Sequence, residues 1–517
     1  MSQLAGRPAA LIALVSAAAL VLIACAADHA TRPTARAGAA STGAAPDAAN
    51  ADPLAAASTW VAEKNWPQAL TALRSIIDDK TFSKRPSDVQ YRALSMAGKV
   101  ASHHGPPELG YEYLGRAVAM PQANFGDWIE RLLAAGQLGR RVDRVGALTV
   151  LMQRWPERAG KIDPDWILHV VAGTHDLPNS AVLPLLQALY DAHWKLQWNI
   201  EPSATWRDLA LLLLEKDRLS EANEVAAHIT DAYVLIAMRA DRRFDAVVTG
   251  NPAQFDIERA AQREFHALEA ASDATPQSLQ LKSWVILSLL HQQHYEAALA
   301  AADSILSDIS ATNYPGKLFE DFDDEHSWFL DLRSSALQRV GRWDESVTQL
   351  AAASLLMEKY GGNVNQIINL GALYCSLSRP HDALSAIASL TAKTSPFGAM
   401  QLENVRLDAA SQLGDVKQVE RSLEYLRVHR ADAPAVYQDA LIIVNQPDRA
   451  AHELIAELTN PVERQNALLS VQDFAPTPST PRDQDLATRR RAIIARSDVQ
   501  AEISTVGRID SYPLEEE

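Results

Sequence analysis

Cysteine is nearly absent from these 517 residues: only Cys25 and Cys375 occur. No disulfide framework can be built in the body of the chain from them. Aromatic residues make up 6% of the sequence, and stretches of alternating Val, Ile and Thr are hard to find, which argues against a strand-rich fold. Positive charge is also short. Against 64 acidic residues stand 48 Lys and Arg, a net charge of −16, so the long-range field repels a phosphate backbone and nucleic acid is not an expected partner. No phosphate-cradling glycine loop, Gly-x-Ser-x-Gly elbow or dinucleotide fingerprint is found, so no cofactor is expected. These missing motifs do not by themselves exclude catalysis.

What is abundant is Ala and Leu, both strong helix formers. A chain this long exceeds what one compact core normally holds, so either several domains or one extended array is expected. The composition favours an all-α array.

The first residues carry a single positive charge, Arg7, followed by a run over residues 9–21 that is apolar except for Ser16. That length suits the core of a signal peptide and is short for a membrane span. The run ends in Leu22-Ile23-Ala24-Cys25, which resembles the bacterial lipobox. The resemblance implies a signal peptide over residues 1–24, diacylation of Cys25 and a lipid-anchored protein of the bacterial cell envelope. An ordinary cleaved signal or a membrane anchor containing a cysteine is the alternative. Ala26 rather than Asp follows the cysteine, which in enteric-type lipoproteins implies the outer membrane, facing the periplasm. Several acyl chains on one cysteine give a stable membrane attachment where one would be marginal. Residues 26–52 hold almost only Ala, Thr, Ser, Gly, Pro and Asp. With no large apolar residue to offset the entropy of ordering, residues 25–53 are expected to be a disordered tether, reaching roughly 25–30 Å from the bilayer.

Beyond the tether a small unit recurs: a bulky residue, two polar or small ones, then a small residue opening an apolar helix. It reads Trp66-Pro67-Gln68-Ala69, Leu219-Ser220-Glu221-Ala222, Phe244-Asp245-Ala246-Val247, Tyr295-Glu296-Ala297-Ala298 and Trp343-Asp344-Glu345-Ser346. Looser copies begin at Pro107, Val142, Pro380, Val416 and Pro447. Most steps between them suit one helix pair; the long gap after Val142 predicts a degenerate pair between about residues 165 and 200. Gly341 and Gly414 precede two of the units and fit a left-handed turn between helices. The best copy spans residues 364–396, with Leu370-Gly371 and Tyr374 in one helix and Ala383, Ile387 and Leu390 in the next. This pattern resembles the tetratricopeptide-repeat family. The resemblance implies a superhelical α-solenoid of antiparallel helix pairs over residues 54–460, whose concave side holds other molecules.

On that face the pattern places Asn365, Ile368, Ala372 and Cys375 of one repeat, and Trp328, Asp331, Ser335 and Gln338 of the repeat before it. Trp328 and Asn365 are the candidate partner contacts. Members of the family that clamp a carboxylate use Lys, Arg and Asn at such positions, a cationic set these positions lack. Other candidates for chemistry are weaker. His291 and His294 lie three apart but have no third metal ligand in sequence, so no metal is expected; the acidic stretch Glu320-Asp321-Phe322-Asp323-Asp324-Glu325 lacks the spacing of a calcium loop; His169, His175 and Asp176 have no marked nucleophile. Cys375 reads as a buried inert thiol.

Residues 461–481, with Pro476, Pro478 and Pro481, read as a stiff linker, and residues 482–517 as a C-terminal helix capping the last repeat. Arg489, Arg490 and Arg491 read as a solvated helix face. The expected function is a non-catalytic scaffold or adaptor that binds envelope proteins. The alternative is a receptor for an envelope glycan or peptide, or an enzyme, with its site in residues 160–205, where Trp166, His169, His193, Trp194 and Trp198 cluster.

Overall fold

The computed structural model describes residues 54–516 apart from 357–362, 389 and 391–393. The apolar leader, Cys25 and the expected tether lie outside the described residues. The described chain divides into two compact units, residues 54–205 and residues 206–516, and almost all of its regular structure is α-helix.

In the smaller unit the helices are α1 (Ala55–Ala62), α2 (Trp66–Ile77), α3 (Ser87–His104), α4 (Pro107–Val118), α5 (Phe125–Gln137), α6 (Arg141–Arg154), α7 (Pro156–Ala159), α8 (Pro164–Ala172) and α9 (Asn179–Asp191). The larger unit begins within α10 (Ser203–Leu214) and continues through α11 (Leu219–Ala226), α12 (Ala232–Ala240), α13 (Asp245–Gly250), α14 (Ile257–Ala274), α15 (Leu279–His291), α16 (Tyr295–Ala311), α17 (Pro315–Leu318), α18 (Phe322–Arg339) and α19 (Trp343–Ser354). It is completed by α20 (Val364–Ser376), α21 (Pro380–Ile387), α22 (Pro396–Leu413), α23 (Val416–Val428), α24 (Pro434–Ile443), α25 (Pro447–Thr459), α26 (Arg464–Ser470), α27 (Pro481–Ile494) and α28 (Ser497–Val506). Every one of the ten sequence units opens, to within a residue, the second helix of a hairpin. The gap after Val142 is filled by α8 and α9. The spacing is irregular because α14 and α17 interrupt the alternation of hairpins.

A single turn makes most of these hairpins. Lys64, Gly139, Asp217, Gln293, Gly341, Ser378, Gly414 and Asn445 all have φ between 55 and 77°. In each case the second helix starts two residues later. The next residue's N–H reaches back five residues to a carbonyl of the first helix, at 2.8–3.0 Å, as in Arg342 to Leu337 and Gln446 to Leu441. This 6→1 bond satisfies a carbonyl the helix end would otherwise leave unpaired and reverses the chain within two residues. His193, at φ 53°, ends α9 with the same bond, Trp194 N–H to Leu189 at 3.0 Å. Only three of the nine residues are glycine, so six accept the cost of a left-handed conformation.

Small residues then set how closely the helices approach. A β-carbon at Gly371 would sit 2.8 Å from Ile387 Cγ2 and 3.0 Å from Val405 Cγ1, and Ala383 across the hairpin is fully buried. A β-carbon at Gly110 would meet the Ser102 backbone nitrogen at 2.6 Å, so α3 and α4 touch backbone to backbone. In the smaller unit the buried Asp127 carboxylate joins α3 to α5. It accepts from Tyr91 and Ser95, each at 2.5 Å, pairs with Lys99 at 3.0 Å, and closes a capping box with Asn124.

The C-terminal region differs from its sequence reading. Residues 461–481, expected as a linker, contain α26 and the strand β1 (Asp473–Phe474); residues 482–517, expected as one capping helix, contain most of α27, then α28 and the strand β2 (Ser511–Tyr512). β1 and β2 pair in parallel. The reason is apolar content: Ala467, Leu468, Val471, Ile493, Val499, Ile503 and Val506 are buried in one cluster with α24, α25 and Ala240 of α12. Through α26 packing on α12, the larger unit returns on itself.

Two substitutions separate these devices. Ser378→Gly should raise stability by about 0.5–1 kcal/mol by relieving a left-handed serine, whereas Gly110→Ala should lower it by about 1–3 kcal/mol, because backbone cannot give way to the methyl group. Urea unfolding of both variants checks the pair.

Candidate functional site

The residues singled out from sequence do not converge. Trp328 and Asn365 are both half-buried, on α18 and α20. Of the positions expected beside them, Asp331 is buried and accepts from Asn369 Nδ2 at 2.7 Å. Ile368 and Cys375 are buried against Leu402, Val405 and Ala409 of α22. These side chains join one hairpin to the next instead of facing an open surface. Burial pushes the Cys375 thiol far above its ordinary value, with Asp408 adding to the effect, so it is inert at neutral pH.

The other candidates have structural employment. Asp321, in the acidic stretch, accepts from the backbone N–H groups of Leu279 and Gln280 at 2.7 and 3.0 Å and from Ser278 Oγ at 2.9 Å; it caps α15, where the helix end favours negative charge. Asp176 pairs with Arg141, so no relay with His169 forms. Trp194 is 3% exposed while His193 faces solvent, and Arg144 lies over the Trp166 ring at 5.0 Å. A buried indole is no stacking platform for a sugar, so Trp194 is core, while Trp166 and Trp198 are half-buried. No group of three or more His, Cys, Asp and Glu among the described residues is placed to hold a metal ion. No helix among them is long and apolar enough to cross a membrane.

A different site is built inside the larger unit, and the chain's own C-terminal segment occupies it. Gly507 fits against α12 so tightly that the Arg508 N–H reaches the Ala240 carbonyl at 2.9 Å. The segment then runs extended beside β1, the Asp473 N–H donating to Asp510 at 3.1 Å and the Ala475 N–H to Leu514 at 2.9 Å. At Glu515 the backbone is held from both sides. Its N–H donates to the His291 carbonyl at 2.9 Å, and its carbonyl accepts from the Tyr233 hydroxyl at 2.8 Å. Residues far apart in sequence therefore meet along one line of nine residues.

Side chains fix the register. Tyr512 is buried beside Phe474, ring centroids 5.9 Å apart, with the Arg239 guanidinium 5.9 Å from its ring and 3.2 Å from Asp510. Leu514 is 3% exposed. The Glu515 carboxylate is paired with Arg339 at the end of α18, Nε to Oε2 at 2.8 Å and Nη2 to Oε1 at 3.3 Å. Both side chains are nearly or fully buried, 10% and 2% exposed. Burial pushes the Glu515 carboxyl above its ordinary value while Arg339 pulls it back. His291 stacks edge-on to Tyr233 at 4.8 Å. Burial, assisted by Arg339, pushes it down to about 4, so it is neutral at physiological pH.

Sequence reasoning missed Arg339 because it placed Gln338, one residue earlier on α18, on the binding face, and missed Arg239 because it considered no position on α12. It also read the Arg489–Arg491 run as solvated, which holds for the exposed Arg491 but not for the other two. Instead Arg489 donates to the Ile442 and Ile443 carbonyls at 3.3 and 3.2 Å, where the end of α24 favours a cation. Arg490 bridges Asp439 at 2.5 Å and Glu516 at 3.2 Å. A signal for the segment was present: Tyr512, Pro513 and Leu514 follow the last helix, apolar content that the tether lacks.

No family model matches the chain, and no curated protein does. Among solved structures it is similar to a tetratricopeptide repeat protein from Parabacteroides merdae, at 10% identity over 62% of this chain and 97% of that one, TM-score 0.27. It is similar to yeast Tom70 at 10% identity over 87% and 97%, TM-score 0.30, and to the APC/C hetero-tetramer Cut9–Hcn1 at 12% over 87% and 80%, TM-score 0.30. The array is tetratricopeptide-like. Its own hairpins, the Gly371–Ala383 contact and the repeated turn carry that description.

A buried acid lies elsewhere in the same unit. Glu457 on α25 is 4% exposed, and its Oε1 has no hydrogen-bond partner. Burial, with Glu453, Glu463 and Asp439 outweighing Arg430, pushes it up to about 8 from an ordinary value of 4.5. Between those values the folded chain holds a proton that the unfolded chain has released, so stability falls as pH rises through the window. His291 acts with the opposite sign, but only from 6.5 down to about 4. Above pH 6.5, of these two only Glu457 is still titrating. Glu457→Gln should therefore flatten the loss of stability between pH 6.5 and 8 and exceed the natural chain at pH 8 by about 1–2 kcal/mol. Urea unfolding at several pH values checks this; parallel pH profiles would contradict it.

Proposed function

We propose that this chain is a non-catalytic protein-binding scaffold, held to the bacterial envelope by lipid on Cys25, most simply at the outer membrane facing the periplasm. The observation that carries the binding role is the manner in which residues 508–516 are held. An extended segment is gripped by main-chain hydrogen bonds from several hairpins and by pockets for alternate side chains, as in strand-addition recognition of peptides. A surface able to hold one extended peptide in this way is suited to hold others. Repeat arrays provide such surfaces because each hairpin adds a face without rebuilding the core.

Support for the anchor comes from the lipobox-like Leu22-Ile23-Ala24-Cys25 and from the polar, small-residue composition of residues 26–52. Such a tether lets a body search for partners near the membrane without fixing its orientation. Burial of Trp194 removes one indole from the surface that the glycan-receptor reading needs.

Cys25→Ser should move the protein from the membrane fraction to the soluble fraction, and mild cross-linking in cells should recover envelope proteins with the natural chain that the variant loses. An unchanged membrane fraction would overturn the anchor. Failure to recover any protein with the natural chain would overturn the scaffold.

A further inference from the structure

Resting on the scaffold reading, we propose that the groove lined by Tyr233, Arg239, His291 and Arg339 is the recognition site for an extended acidic peptide of a partner protein, with an apolar residue directly before a glutamate. The chain's own tail holds that site in cis until such a peptide displaces it.

Three features define the ligand. The main-chain bonds at Asp510, Leu514 and Glu515 are available to any extended peptide whatever its side chains. Leu514 is 3% exposed, so its position takes a buried apolar side chain, and the buried Arg339 guanidinium requires a carboxylate at the next position. An arginine left buried with no counter-ion is strongly unfavourable, whereas a complete buried pair contributes little net stabilisation. The site thus rejects peptides lacking the acid and accepts those that carry it. Charge elsewhere agrees: Arg239 faces Asp510 and Arg490 faces Glu516, so acidic residues on both sides of the apolar–Glu pair are matched.

The tail has the position of a competitor. It follows the last helix directly, and as part of the same chain it is present at an effective concentration far above that of a free peptide. A partner must therefore be locally concentrated or carry a better sequence, and its binding is coupled to release of residues 508–516.

The test uses full-length protein and a fluorescein-labelled synthetic peptide of residues 508–517, followed by anisotropy. The natural chain should bind it at least tenfold more weakly than a Leu514→Ser/Glu515→Ala variant, whose tail no longer competes. Adding Arg339→Gln to that variant should abolish binding while its circular dichroism and melting stay those of the parent. A labelled peptide with Gln in place of Glu515 should bind at least tenfold more weakly. Should the double variant lose its helical spectrum, Glu515→Gln alone gives the same comparison while keeping the leucine. Equal binding with and without Arg339, or none by a folded tail-released variant, would overturn the proposal. So would a dimer that forms with rising concentration and requires Glu515, which would mean exchange of tails between copies. If the peptide fails while cross-linked envelope partners are still recovered, the scaffold stands with another surface in use; if those partners are absent too, both fall.

Discussion

A helix hairpin of this kind cannot bury its apolar face alone, and the constraint on which the whole array depends is therefore the turn that makes each hairpin compact enough to stack. One left-handed residue, with the following N–H returned five residues to the first helix, performs that turn from Lys64 to Asn445. Because the second helix always starts two residues later, its fourth residue comes to lie beside the first helix. A small side chain is wanted there, and Ala69, Ala222, Ala298, Ser346, Ala383 and Ala450 have no exposed surface. Turn geometry and residue size are thus one requirement seen at two places in the sequence.

In the larger unit the stacked hairpins leave an inner line of hydrogen-bonding groups that a repeat protein would ordinarily offer to solvent or to a partner. Here residues 472–476 and 508–516 occupy it. The bonds at Glu515 come from α12 and α15, and its carboxylate from the far side meets α18, so a single residue ties together three helices from successive parts of the unit. The C-terminal helices supply apolar burial, and the tail adds polar specificity. Within that arrangement His291 is neutral and packs edge-on to Tyr233, and elsewhere in the unit the buried Cys375 thiol is placed between hairpins.

Helix content, hairpin order and the Gly371–Ala383 contact were legible from sequence because they rest on local signals, a bulky–small spacing and a period of 3.6 residues. Gly341 and Gly414 could be read as turns; Lys64, Gln293 and Ser378 could not, since those residue types seldom adopt the left-handed region, and Asp217 and Asn445, whose types do visit it, carry no mark that separates them from other Asp and Asn residues. The groove was not legible. Its parts come from Tyr233, His291, Arg339 and Glu515, separated by up to 282 positions, and no local pattern marks residues that meet only after the array has returned on itself. Proline at 476, 478 and 481 suggested a linker because proline excludes most regular structure, but Pro481 opens α27 in the first turn, where proline is tolerated, and Pro476 and Pro478 lie in the short connection from β1.

Amide hydrogen exchange across residues 508–516 of the natural chain measures directly whether the tail is part of the fold. The amides of Arg508 and Glu515, which donate to Ala240 and His291, should be protected to a degree approaching those of α12 and α15. Exchange at the rate of a free peptide over this segment would contradict the account, leaving the groove open and the Arg339 guanidinium without its carboxylate.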